Sequence, residues 1–259
     1  MSLLHSFYCW GCVGVILIST IFFSIFGIDS WKVLCIIWAI VPTLNGIFFT
    51  QVPIGDLVGS DEKTLSFKEL FTNKVFWIML LLMVCAGASE QAISQWASTF
   101  AEKGLGVSKT IGDLAGPMFF AILMGTSRAI YAKFGDTLDL KKFMYLSGIL
   151  CVISYLLISL SPWEALSLIG CGLCGLSVGI MWPGTISLSK GIIKGGGTVM
   201  FALLALAGDV GCSGGPTFVG LISGFFDDNL KLGILMAIVF PLLLVVSLLS
   251  TKRIITLKD

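Results

Sequence analysis

The 259 residues predict an all-α polytopic membrane protein with about eight transmembrane helices, and three observations carry that expectation. Hydrophobic residues make up 56% of the chain and charged residues 12%, where a soluble domain carries about 25% charged residues. Mean hydropathy is +1.00. Residues 33–55, 143–163, 165–189 and 232–251 contain no Asp, Glu, Lys or Arg. Each run is long enough for a hydrocarbon core of about 30 Å, which roughly 20 helical residues cross.

In chain order the spans fall at about 6–27, 32–52, 74–101, 111–132, 142–161, 164–189, 197–225 and 231–251. The first lacks a basic leader and a small-x-small cleavage site, and its apolar run is too long for a signal peptide, so it reads as a retained span. The second holds Pro42 and, three residues on, Asn45 beside Gly46. One connection is long, VPIGDLVGSDEKTLSFKELFTNK, and holds seven charges. Its FKELFTNK end predicts a short amphipathic helix at the membrane surface, and the segment marks a boundary between two bundles. The remaining spans follow one another through short turns. In the sixth, Pro183 removes a hydrogen bond and predicts a kink. The seventh is rich in glycine, which lets helices approach closely.

Basic residues set the orientation. With both termini in the cytoplasm, twelve of the 16 lysines and arginines fall inside, and only Lys32, Lys103, Lys109 and Lys231 fall outside. An even number of spans is required by that arrangement, and eight satisfies it.

The cysteines invite a metal or redox reading, because Cys9 and Cys12, and Cys171 and Cys174, have C-x-x-C spacing. On a helix this spacing only places two thiols on one face. The orientation also puts the pairs at different depths, so buried filler is the better account. His5, at the extreme terminus, is similarly unpromising as a ligand.

The polar residues inside the spans say more. Gly87, Glu90, Gln91, Ser94, Gln95 and Ser98 recur at three and four residues and form one stripe on the third helix, whose middle falls near residue 88. An acid at the bilayer centre costs roughly 2.5–3.5 kcal/mol on lenient scales. A protonated Glu90 bonded to a neighbouring helix is the plainer explanation, but a stripe of this length exceeds the needs of one bond. A watery cavity is favoured. Asp209 lies mid-span among Gly208, Gly211, Gly214, Gly215 and Pro216. An ion-linked carboxylate near a hinge and a carboxylate bonded to freed backbone groups are equally good readings of it. Trp182 suits stacking on a sugar ring or anchoring at the interface, and the residues alone favour the anchor.

No enzyme constellation emerges. The sequence has no metal-ligand cluster, no G-x-S-x-G and no G-x-x-x-x-G-K-[ST]. Its buried acids are dispersed at mid-depth, which suits translocation better than hydrolysis.

The loop GTSRAIYAKFGDTLDLKKF resembles the signature loop of the major facilitator superfamily. Gly125, Lys133, Gly135 and the pair Lys141-Lys142 fit, while Ala132 stands where the family carries an acid and Asp136 follows the second glycine instead. The resemblance implies a cytoplasmic gating loop containing Gly125, Arg128, Lys133, Gly135 and Asp136. Gly87, Glu90 and Trp96 are spaced as in the seventh helix of fucose-permease-like sugar symporters. GLSVGIMWPGTISL resembles their tenth helix and GDVGCSGGPTFVG their eleventh.

If the resemblance holds, residues 74–251 are a C-terminal six-helix bundle, residues 53–73 the central cytoplasmic loop and residues 252–259 a cytoplasmic tail. Residues 1–52 would be two helices left from an N-terminal bundle. The family fold has twelve helices in two halves, so the expectation is a truncated or split product lacking much of its N-terminal half. The implied function is proton-coupled symport of a sugar or similar small polar solute across the cell membrane, with sodium as the other coupling ion. Glu90 would take the proton, with Asp209 the second candidate. Gln91, Gln95, Trp96 and Trp182 would contact the solute, with Asn45 a lesser candidate. Partners are then the solute, the coupling ion and the bilayer; no cofactor and no nucleic acid are implied. The alternative is a non-transporting remnant, or a half-transporter that must pair with a missing N-terminal partner.

Overall fold

The computed structural model describes residues 2–53, 64–135 and 137–256. Among these residues there is no strand, and eight helical stretches are long and apolar enough to cross a membrane. They are Leu3–Phe26, Ile28–Phe49, Lys74–Gly104, Lys109–Phe134, Leu140–Leu160, Glu164–Ile192, Gly197–Phe225 and Leu230–Ser250. Each matches one of the eight spans expected from the sequence, with ends moved by a few residues.

The first two spans are α1 (Ser2–Phe26) and α2 (Trp31–Phe49). A surface helix, α3 (Phe67–Thr72), precedes the third span and starts in a capping box. There the Ser66 hydroxyl accepts from the Glu69 N–H at 3.4 Å, and the Glu69 carboxylate accepts from the Ser66 N–H at 2.8 Å. Asn73 then caps the next helix by accepting from the Val75 N–H at 3.0 Å.

Four later spans are interrupted. The third is α4 (Lys74–Ser94), a turn at Gln95–Trp96, α5 (Ala97–Thr99) and a wide π turn to Gly104. The fourth is α6 (Lys109–Asp113), a π turn around Pro117 and α7 (Phe119–Phe134). The fifth, α8 (Leu140–Leu160), is unbroken. The sixth divides into α9 (Glu164–Val178) and α10 (Met181–Ile192), with Pro183 in the first turn of α10. The seventh is α11 (Gly197–Phe225), and the eighth divides into α12 (Leu230–Met236) and α13 (Val239–Thr256). Pro183 and Pro241 each sit four residues beyond the carbonyl at the break, so neither can return the helical hydrogen bond there.

The last six spans pack into one body around α4. Its closest neighbour is α11, along a seam where backbone meets backbone. A methyl group on Gly87 would strike the Gly208 carbonyl oxygen, and one on Gly211 would strike that of Val84. Close approach of this kind is how apolar helices associate where lipid removes the hydrophobic drive. On the other side of α4, the buried Tyr155 of α8 donates its hydroxyl to the Ser89 carbonyl at 2.9 Å. The α1–α2 pair is different. Only 6% of each of its apolar stretches is buried, and α1 leans on α7 with one face while α2 touches little beyond α1.

Candidate functional site

The third span carries Glu90 into the middle of this body. Its carboxylate is almost fully buried, at 5% exposure, and meets an equally buried cation. Arg128, on α7 and 3% exposed, places Nη2 3.3 Å from Glu90 Oε2. The same guanidinium donates from Nε to the Gly179 carbonyl at 3.0 Å and from Nη1 to the His5 carbonyl at 2.9 Å. The Tyr8 ring lies beneath it, 5.8 Å from ring centre to guanidinium carbon. One side chain thus touches α1, α4 and the turn between α9 and α10. Its planar fork of donors suits this task, which a lysine could not perform. A buried charge needs such partners, since desolvation is repaid only where each polar atom finds one.

Gln91 extends the site by donating its amide to Glu90 Oε1 at 3.5 Å. A cavity of about 250 Å³ opens beside the pair, lined by His5, Tyr8, Glu90, Gln91, Arg128, Trp182, Asp209 and Cys212. The Trp182 ring lies 6.5 Å from that of His5 and packs on Gly208, so α10 forms the cavity wall between α1 and α11. A second, wider cavity of about 610 Å³ is lined by Gln95, Trp96, Thr99, Cys212, Ser213, Pro216 and Thr217. Cys212 belongs to both. The two spaces therefore adjoin along the groove between the third span and α11.

Of the residues singled out in the sequence, Glu90, Gln91, Trp182 and Asp209 come together in the first cavity, and Gln95 and Trp96 line the second. Trp96 does more than line it: its indole N–H donates to the Pro216 carbonyl at 2.9 Å. Asn45 lies on the exposed α2 and lines neither cavity. The residues expected in a gating loop do not converge on one. Gly125 packs inside α7, where an added methyl would sit 3.0 Å from Cys9 Cβ of α1. Arg128 is corrected from loop to core, because α7 continues to Phe134 and holds it more than a turn inside the helix. Lys133 and Gly135 mark the end of α7, and Asp136 lies outside the described residues.

Sequence reasoning missed the partner of Glu90, and it missed His5, Tyr8 and Cys212. For Arg128 a signal existed. It stands six residues before the end of α7, too deep to reach an interface without passing through apolar surroundings, where ionisable groups face the bundle interior and pair. The α1 residues carried none, since their place depends on which face of α1 leans on α7.

The arrangement joins a buried acid–base pair, a second acid and aromatic walls in a cavity within a bundle of apolar helices. Such a lining offers hydrogen-bonding, charged and aromatic groups of the kinds that small polar molecules use. Comparison with known proteins agrees with the membrane architecture: the family model for the Major Facilitator Superfamily matches residues 1–216. No curated protein and no solved structure matches. With a match over most of its length, this multi-pass membrane protein belongs to the major facilitator superfamily.

Proposed function

We propose that the chain acts in secondary transport as a proton-coupled symporter of a sugar or similar small polar solute. The observation that carries this reading is the cavity at the centre of the bundle, where the buried Glu90–Arg128 pair faces Trp182 and Asp209. Midplane sites of this kind, between halves that rock, are how such transporters alternate access. Glu90 is the coupling carboxylate and Asp209 the second. Gln91 and Trp182 contact the solute in the first cavity, and Gln95 and Trp96 line its approach through the second. The spacing of Gly87, Glu90 and Trp96 favours the fucose-permease-like branch. In this reading residues 74–251 form the C-terminal bundle, residues 1–52 belong to the N-terminal one, residues 53–73 link them and residues 252–259 are a tail. Both termini face the cytoplasm, and the host is the cell membrane.

The test is uptake of labelled deoxyhexoses and hexoses into proteoliposomes under an inward proton gradient. Glu90→Gln is expected to abolish uphill uptake while sparing part of the exchange of internal for external solute. Uphill uptake at the normal rate in that variant would sink the assignment.

A second reading has its own support. One face of α11, including Leu206, Asp209, Val210, Ser213, Thr217 and Leu221, is exposed, and a methyl added to Gly214 on it would meet no atom of another helix within 4 Å. A small, polar-flecked face on a membrane helix is a packing face. On this reading the chain transports only in association with further helices that cover it. Co-reconstitution that restores flux absent from the 259-residue chain would favour this second reading over the first.

A further inference from the structure

The break between α9 and α10 leaves one carbonyl without its helical donor. Residue 183 would return an N–H to the Gly179 oxygen four residues earlier, but it is proline and has none. A bare carbonyl inside an apolar bundle is costly, and here the donor comes from another helix, as Arg128 Nε at 3.0 Å. The guanidinium that serves this oxygen is the one held by Glu90. Its third arm, to the His5 carbonyl, reaches the first turn of α1.

We propose that Arg128 is a positioning residue that ties the charge on Glu90 to the α9–α10 break. With Glu90 ionised, a charge-assisted bond orients the fork so that Nε lies on the Gly179 oxygen. With Glu90 neutral, that bond weakens, the fork is held less firmly, and the break loses its fixed donor. Trp182, three residues beyond Gly179 and on the cavity wall, then gains freedom to move. A proton taken up at Glu90 is in this way converted into a change in the wall that contacts the solute. The groups facing Glu90 are Arg128 from α7, Tyr8, Cys9 and Cys12 from α1, with His5 of α1 on the same cavity, Cys174 from α9, and Asp209 and Cys212 from α11. Arg128 is the cation paired with the carboxylate, so it is the group that registers the loss of charge.

The inference deepens the role proposed for Glu90, yet its test needs no transport. Amide hydrogen exchange is followed by mass spectrometry on the full chain in nanodiscs, comparing wild type with Glu90→Gln. Exchange over residues 180–186 is expected to rise about tenfold, the scale of one charge-assisted hydrogen bond lost, with α8 and α13 unchanged. Pro183→Ala restores the missing N–H, and in that background Glu90→Gln should no longer raise exchange. Arg128→Lys is the second variant, useful if Glu90→Gln folds poorly: it lacks the separate, rigidly spaced Nε and Nη2 donors that serve the carbonyl and the carboxylate, so the same local rise is expected. Exchange at the wild-type level in Glu90→Gln, a uniform rise over all spans, or a rise that survives Pro183→Ala would each overturn the link. If the link holds and Glu90→Gln keeps uphill uptake at the normal rate, the transport role of Glu90 falls while the positioning role of Arg128 stands.

Discussion

Trp96 of the third span and Pro216 of α11 are joined by an indole hydrogen bond of 2.9 Å, Nε1 donating to the carbonyl. The bond crosses the groove beside the wider cavity, and the indole also lies against Gly220. Trp96→Phe keeps an aromatic ring there and removes the donor. It is expected to cost about 0.5–1.5 kcal/mol, the net worth of one such bond. Thermal unfolding in detergent reads the loss. Stability equal to wild type would mean that the Pro216 carbonyl finds another donor.

The buried pair gives a larger and more asymmetric effect. Arg128→Leu leaves Glu90 without its cation and is expected to destabilise the fold by about 3–5 kcal/mol. Glu90→Leu combined with Arg128→Leu removes both charges, and most of that loss should return. The remainder reports the Gly179 and His5 carbonyls that Arg128 also serves. A double-mutant cycle on unfolding separates these contributions, and additive losses would deny the pairing.

Along the α4–α11 seam, Gly211→Ala would press a methyl onto the Val84 carbonyl. Overpacking of this kind typically costs about 1–3 kcal/mol. Gly214→Ala, where nothing lies within 4 Å, is the matched control and should be near neutral. Equal melting temperatures for the two variants would contradict the seam.

Cys212 offers a native reporter. It is half-buried and lines both cavities, whereas Cys9, Cys85, Cys151, Cys171 and Cys174 are buried. A hydrophilic maleimide should modify Cys212 well before those five, as peptide mapping would reveal. Added solute that binds between the cavities should slow the reaction. Faster labelling of Cys171 or Cys174 than of Cys212 would refute the placement of the groove.

At the surface, Ser66 hydrogen bonds hold the Glu69 carboxyl below the usual glutamate range, its hydroxyl contributing more than its N–H. The folded value lies below the unfolded one, so the stabilisation of α3 is complete above the ordinary glutamate range. It is lost as pH falls through the folded value. Carboxyl titration by NMR should find Glu69 depressed in wild type and raised toward the ordinary value in Ser66→Ala, which keeps the N–H donor.

The eight spans were legible because apolar length and the absence of charge depend on sequence alone. So was the kink at Pro183, since proline acts on its own backbone. The interruption at Gln95–Trp96 was not, because no residue there is a helix breaker. Glu90, Gln91, Trp182 and Asp209 were readable as polar or aromatic intrusions in oily helices, and the structure brings them to one cavity. The bond between Glu90 and Arg128 was not readable. It joins residues 38 apart, and it depends on how α7 turns one face toward α4. Asn45 shows the opposite failure: a polar residue beside glycine in a span suggested a site, but α2 stands away from the body that holds one.

The seam between α4 and α11 also bears on how this molecule can move. Ridges of side chains slide past one another by changing rotamers, which lets packed helices shear in small steps. Where carbonyl oxygens rest directly on glycine α-carbons, as at Gly87–Gly208 and Val84–Gly211, there are no rotamers to change. The two helices are then mechanically a single beam. Opening and closing of the cavities must come from the elements around that beam, the jointed α9–α10 and the loosely seated α1, and not from slippage within it.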